Sequence, residues 1–163
     1  MQKTKTDKSN PFARYVKMGA GLLSLAILAL GGLMLSQQPS VAADVVVYKS
    51  PTCGCCEKWV EHLQENGFSV QVHDHYDMNP IKSELGVPSR LRSCHTAKVG
   101  DYLVEGHVPA ADIARLLQEK PPVKGLSVPG MPMGSPGMEG PRKDAFQVLT
   151  FDTQGHTSIY ANR

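Results

Sequence analysis

The chain has 163 residues, 41% of them apolar and 20% charged, which is enough for one globular domain and too few for two. The formal charge of +2 is unevenly placed: residues 1–43 carry Lys3, Lys5, Lys8, Arg14 and Lys17 against Asp7 alone, so the remainder is net acidic. A net-acidic domain without a basic run has no electrostatic footprint for nucleic acid, and that class is excluded. The four cysteines are too few for a disulfide scaffold of this length, and three of them, Cys53, Cys55 and Cys56, point to a local site.

The first segment is a basic stretch, an apolar run over residues 18–35 and a small-residue tail, the three regions of a secretory signal. Val41 and Ala43 suit the small −3 and −1 positions, which predicts cleavage after Ala43 and a mature domain of residues 44–163. The apolar run is also near the lower limit for spanning a bilayer, so an uncleaved inner-membrane anchor is the competing expectation. No Arg-Arg pair precedes it, which argues for unfolded export and for metal acquired outside the cytoplasm. The expected compartment is a bacterial periplasm, where an exposed thiol cluster must be oxidised, catalytic or occupied by metal.

Val45-Val46-Val47-Tyr48 is β-branched and aromatic and ends at Ser50-Pro51, which predicts a short buried strand and a turn. A helix follows from about Cys56, with Trp59, Val60 and Leu63 on one face and Asn66-Gly67 as its stop. Residues 68–72 alternate as a half-buried strand does, completing a β-α-β unit. Residues 80–85 read as a short helix with Asn79 as cap, Pro80 at the first position and Gly86 at the close. Residues 96–99 and 102–104 flank Gly100-Asp101 as a hairpin. The next helix, residues 109–118, gathers Ile113, Leu116 and Leu117 and ends before Pro121-Pro122. Residues 123–141 read as irregular, and residues 145–151 and 157–160 as two further strands. A small mixed sheet flanked by helices, built on one β-α-β unit, fits a thioredoxin-like α/β fold better than a sandwich or a bundle.

The segment Pro51-Thr52-Cys53-Gly54-Cys55-Cys56-Glu57 lies between a strand end and a helix start. Free backbone N–H groups and the helix dipole there favour anions, so thiolates are good nucleophiles or ligands. Cys53 and Cys56 keep the spacing of a redox dithiol, while Cys55 adds a third sulfur that suits a metal. Thiolates select Cu(I), zinc or iron–sulfur clusters. Unfolded export disfavours iron–sulfur. Adjacent Cys55 and Cys56 diverge along the chain and do not match the spaced ligand pairs of mononuclear zinc. Copper, which tolerates low coordination numbers in thiolate-bridged clusters, therefore ranks first and zinc second. Cys94 has two readings, a small core residue or disulfide partner, and a fourth thiolate closing the site.

Met131, Met133 and Met138 fall in a Gly- and Pro-rich run that excludes a helix or central strand, leaving a hydrophobic flap or soft thioether donors as their roles. A cis Val128-Pro129 bond against the helix N-terminus is an expectation at this point. His62, His73, His75 and His156 read as surface or supporting residues, whereas His95 and His107 flank the stretch carrying Cys94 and are candidate auxiliary ligands.

Taken together, Tyr48-Lys49-Ser50-Pro51-Thr52-Cys53-Gly54-Cys55-Cys56, Cys94-His95-Thr96-Ala97, Glu105-Gly106-His107-Val108-Pro109 and Val128-Pro129-Gly130-Met131-Pro132 resemble the CopG-like family of periplasmic metal-binding proteins linked to copper resistance. The resemblance implies a thioredoxin-like fold in which Cys53, Cys55, Cys56 and Cys94 hold a cysteine-bridged polynuclear Cu(I) site. It also implies a role in copper tolerance, with copper ions and a periplasmic donor or acceptor protein as partners. Two further classes compete: a thiol-disulfide oxidoreductase with Cys53 as nucleophile and Cys56 as resolving thiol, and an oxidoreductase acting on copper itself. Two structural disulfides without metal form the bland alternative, with strained pairing options.

Overall fold

A computed structural model describes residues 44–163. The expected signal segment, its cleavage after Ala43 and the alternative anchor lie outside the described residues. Within them, no helix is long and apolar enough to cross a membrane.

Strand β1 (Asp44–Lys49) sends Val45 and Val47 into the core by its two-residue period. Helix α1 (Gly54–Glu65) buries Cys56, Trp59, Val60 and Leu63 along one stripe. It ends at Asn66, with Gly67 in the left-handed conformation at φ +85°. Strand β2 (Ser69–Asp74) returns parallel to β1 and completes the expected β-α-β unit. Helix α2 (Asn79–Glu84) is capped differently from expectation: Met78 is the N-cap, and the Asp77 carboxylate accepts the Asn79 N–H at 2.9 Å. Pro80 therefore occupies the second helical position, where its missing N–H is harmless. A 3₁₀ turn (Ser89–Leu91), which the sequence did not suggest, leads to the hairpin of β3 (Thr96–Val99) and β4 (Tyr102–Glu105).

Helix α3 (Ala110–Glu119) buries Ile113 and Leu116 beside the α1 stripe. Beyond it, the stretch expected to be irregular contains strand β5 (Gly125–Ser127), parallel to β4. Gly125 is required there, since a Cβ would stand 2.0 Å from the Leu103 carbonyl oxygen. Strands β6 (Gln147–Phe151) and β7 (Thr157–Asn162) complete a mixed seven-stranded sheet of order β2-β1-β3-β4-β5-β6-β7. The Val128-Pro129 peptide is trans, contrary to the cis expectation, and no described peptide bond is cis.

One core cluster joins Val45, Val47, Ala97, Val99 and Val104 to Trp59, Leu63, Ile113 and Leu116. Leu103 and Phe151, of opposite parity, form a second cluster with Val87 and Leu91. The register sets Tyr48 opposite Thr96, Thr96 opposite Glu105, and Glu105 opposite Ser127. This row marks one end of the central strands, where β1 leaves toward Cys53, β3 begins after Cys94, β4 leaves toward His107 and β5 leaves toward the methionine-rich loop.

Candidate metal centre

The Ser50-Pro51-Thr52 turn closes with the Cys53 N–H on the Ser50 carbonyl at 3.1 Å, and Cys53 becomes the N-cap of α1. Its carbonyl accepts the Glu57 N–H at 3.2 Å, so Gly54, Cys55 and Cys56 form the first helical turn rather than preceding it. Lys49, nearly buried, pairs with Glu57 at 3.0 Å and Asp74 at 3.1 Å, tying that turn to β1 and β2. Burial opposes the Lys49 charge, but the two carboxylates outweigh it and raise its pKa.

Cys53 and Cys56, one helical turn apart with Cα atoms 5.3 Å from each other, form a disulfide, and Cys55 and Cys94 are free thiols. Cys55 Sγ lies 3.5 Å from Cys53 Sγ. Although Cys94 belongs to a segment 38 positions further along the chain than Cys56 in number, its sulfur joins the other three, all four lying within 4.8 Å of one another. Cys94 is half-buried and unbridged, which removes the disulfide-partner reading for it.

Two histidines meet the same sulfur. His107 Nε2 is 3.0 Å and His95 Nδ1 3.3 Å from Cys94 Sγ, so Cys94, His95 and His107 make a second tight donor group. His107 Nδ1 donates to the Pro136 carbonyl at 2.7 Å, which leaves the Nε2 lone pair facing the sulfur. His95 is fully buried, with its ring 4.2 Å from that of Trp59, and its Nε2 has no hydrogen-bond partner. Trp59 is itself fixed by donating Nε1–H to the Val108 carbonyl at 2.8 Å. Burial lowers the pKa of both histidines, and for His95 the competing ionisation of His107 and the nearby Lys82 ammonium add to the effect. Both are neutral imidazoles, the form that donates nitrogen to a metal.

The methionine-rich loop reaches the site through its backbone. Gly137, at φ +83°, packs so closely that a Cβ would come 2.5 Å from the Cys55 carbonyl oxygen and 2.9 Å from Trp59 N. Ser135 is buried and donates to the Pro132 carbonyl at 2.7 Å, holding the loop's own fold. Met131 is 54% exposed, while Met133 is half-buried with its methyl group beside Gly140.

The other histidines are used elsewhere. His62 Nε2 accepts the Ala110 N–H at 3.1 Å, capping α3 where Pro109 offers no side-chain acceptor. His73 stacks on Tyr48, and His156 pairs with Asp152 at 2.9 Å. Sequence reading missed a buried ion pair, Lys82 with Glu105 at 2.6 Å, directly beneath the Cys94 segment. No periodicity links those two residues, and only the fold brings them together.

Two solved structures are similar to this chain. "Copper resistance protein copG- Form 1" shares 47% identity, covering 75% of this chain and 98% of that one, at a TM-score of 0.71. "Copper resistance protein copG- Form 2" shares 48% identity over 74% of this chain and 98% of that one, also at 0.71. A family described as "Protein of unknown function, DUF411" matches residues 91–138. Among curated proteins none matches.

Burial, followed by the neighbouring Cys55, pushes the Cys94 thiol up to about 11. Only the thiolate is the nucleophile. With the disulfide intact, alkylation of Cys94 should therefore be slow at neutral pH and rise ~tenfold per pH unit until about pH 10, followed by peptide mass spectrometry. A rate that levels off below about pH 9 would contradict this assignment.

Proposed function

The chain belongs to the family of the CopG copper resistance proteins, and from that premise we propose that it holds Cu(I) in a polynuclear, cysteine-bridged site and contributes to copper resistance in the periplasm. Cys53, Cys55, Cys56 and Cys94 are the ligands in this reading, with His107, His95, Met131 and Met133 as auxiliaries. The observation that carries it is the meeting of four sulfurs from two separate segments within 4.8 Å. Soft donors at that density suit Cu(I), and the two neutral imidazoles beside them extend the donor set without adding positive charge. Four sulfurs this close can be shared between ions, whereas a lone tetrahedral zinc needs its ligands directed to one point. Zinc ranks second for that reason.

The parallel β1-α1-β2 unit, with its Cys53–Cys56 pair on the first helical turn, supports reading the domain as thioredoxin-like. That disulfide also favours the second functional reading, a thiol-disulfide or copper oxidoreductase. All four sulfurs become available only when a dithiol donor gives the pair two electrons and two protons, leaving two thiols here and a disulfide on the donor. The same exchange, turned over repeatedly on a protein substrate, is the competing activity. Copper ions and a periplasmic donor or acceptor protein are the partners that the first reading requires.

Titration of the reduced domain with Cu(I) against a competing chelator tests the proposal. At least one equivalent should bind, and Cys55→Ser and Cys94→Ser should each weaken binding by about tenfold or more. No binding, or binding unchanged by both substitutions, contradicts it. Insulin-reduction turnover that survives Cys55→Ser and disappears in Cys53→Ser would favour the oxidoreductase instead.

Residues 1–43 are proposed to direct export and to be removed after Ala43. The intact mass of the protein recovered from the periplasm should begin at Asp44, and a mass retaining the whole segment would establish an anchor.

A further inference from the structure

Helix α2 docks on the sheet through a charge: its one buried residue is Lys82, at 3% exposure. Lys82 Nζ donates to Glu105 Oε1 at 2.6 Å and to Thr96 Oγ1 at 2.9 Å. Thr96 Oγ1 in turn donates to Glu105 Oε2 at 2.5 Å, and Glu105 Oε1 also accepts the Ser93 N–H at 2.6 Å. Glu105 and Thr96 are fully buried. Burying two ions costs more than their mutual attraction returns unless further hydrogen bonds complete the pair, and apolar residues of similar volume often hold a fold at least as well. Apolar residues cannot, however, accept hydrogen bonds from the chain on both sides of Cys94. Glu105 does so at Ser93, one position before the thiol, and at Thr96, two positions after it. The next residue, Gly106, donates its N–H to the His95 carbonyl at 3.0 Å and, at φ +71°, has no room for a Cβ beside Ser93.

We propose that the buried Lys82–Glu105 pair is a positioning device for the metal centre: Glu105 clamps the chain on both sides of Cys94, and Lys82 holds that carboxylate in place through its own hydrogen bonds to Glu105 and Thr96. Neither residue touches the metal. The inference rests on the copper-binding reading for its functional consequence, but the clamp can be examined without metal.

The decisive variant is the double substitution Lys82→Met with Glu105→Leu, which removes both charges and keeps apolar volume. It should melt at or above the wild-type temperature, because the pair is not what the fold needs for stability. With the Cys53–Cys56 disulfide intact and no metal, Cys94 should be alkylated at least about threefold faster than in the wild type, because its segment is no longer held half-buried. After reduction, Cu(I) affinity against a chelator should fall by about 10–100-fold, the usual effect of losing a residue that orients a ligand. A folded double variant with wild-type alkylation and wild-type affinity overturns the proposal. Should the double variant not fold, Thr96→Val removes one side of the clamp with the ion pair in place, and wild-type values for both readouts in that variant overturn it equally. If the wild type itself binds no Cu(I), the copper reading fails, while the alkylation comparison still decides whether the clamp exists.

Discussion

The centre depends on strand register. Because β3 runs antiparallel to β1 with Thr96 opposite Tyr48, the chain entering β3 passes the point where β1 exits. Cys94 thereby meets the first turn of α1, although neither segment is near the other in sequence. Antiparallel β4 and parallel β5 extend the same row through Glu105 and Ser127, so His107 and the methionine-rich loop are delivered to the same end. A slip of one residue between β1 and β3 would turn Ala97 and Val99 away from the core that Val45 and Val47 occupy, so hydrophobic burial enforces the register that the sulfurs need.

Around those sulfurs the protein has placed groups that hold little positive charge. His95 and His107 are kept neutral by burial, and the Pro136 carbonyl decides which nitrogen of His107 carries the proton. Cys94 keeps its own proton well above neutrality. A cation entering this environment replaces that proton and provides the positive charge that the desolvated thiolate lacks. The Cys53–Cys56 disulfide imposes a further condition, since a bonded pair of sulfurs has no thiolate to offer. In the proposed site, metal capacity and thiol oxidation state would be linked through the same two atoms.

Much of this arrangement was legible in the sequence, for identifiable reasons. The valines of β1, the Trp59, Val60 and Leu63 stripe and the Gly100-Asp101 turn follow strong local rules, and each element formed where those rules put it, within a few residues. The CxCC segment was recognisable from spacing alone. The proximity of Cys94 was carried by the family resemblance, because nothing local to Cys94-His95 states which strand it will approach. Strand β5 escaped notice because Gly125-Leu126-Ser127 is three residues long and owes its burial to neighbours on both sides. Apolar patterning would make Ile81 the buried residue of α2. Instead Lys82 is the buried residue, since its partner Glu105 waits across the sheet, and a pairing between distant charges leaves no mark on either local pattern.

The central claim, that sulfurs of the early trio and of Cys94 share soft monovalent ions, is most directly tested by X-ray absorption at the copper edge on the reduced, Cu(I)-loaded protein. The account predicts a first shell dominated by sulfur together with copper–copper scattering, both diminished in Cys94→Ser. A shell dominated by nitrogen and oxygen, or a spectrum indifferent to loss of Cys94, would contradict it.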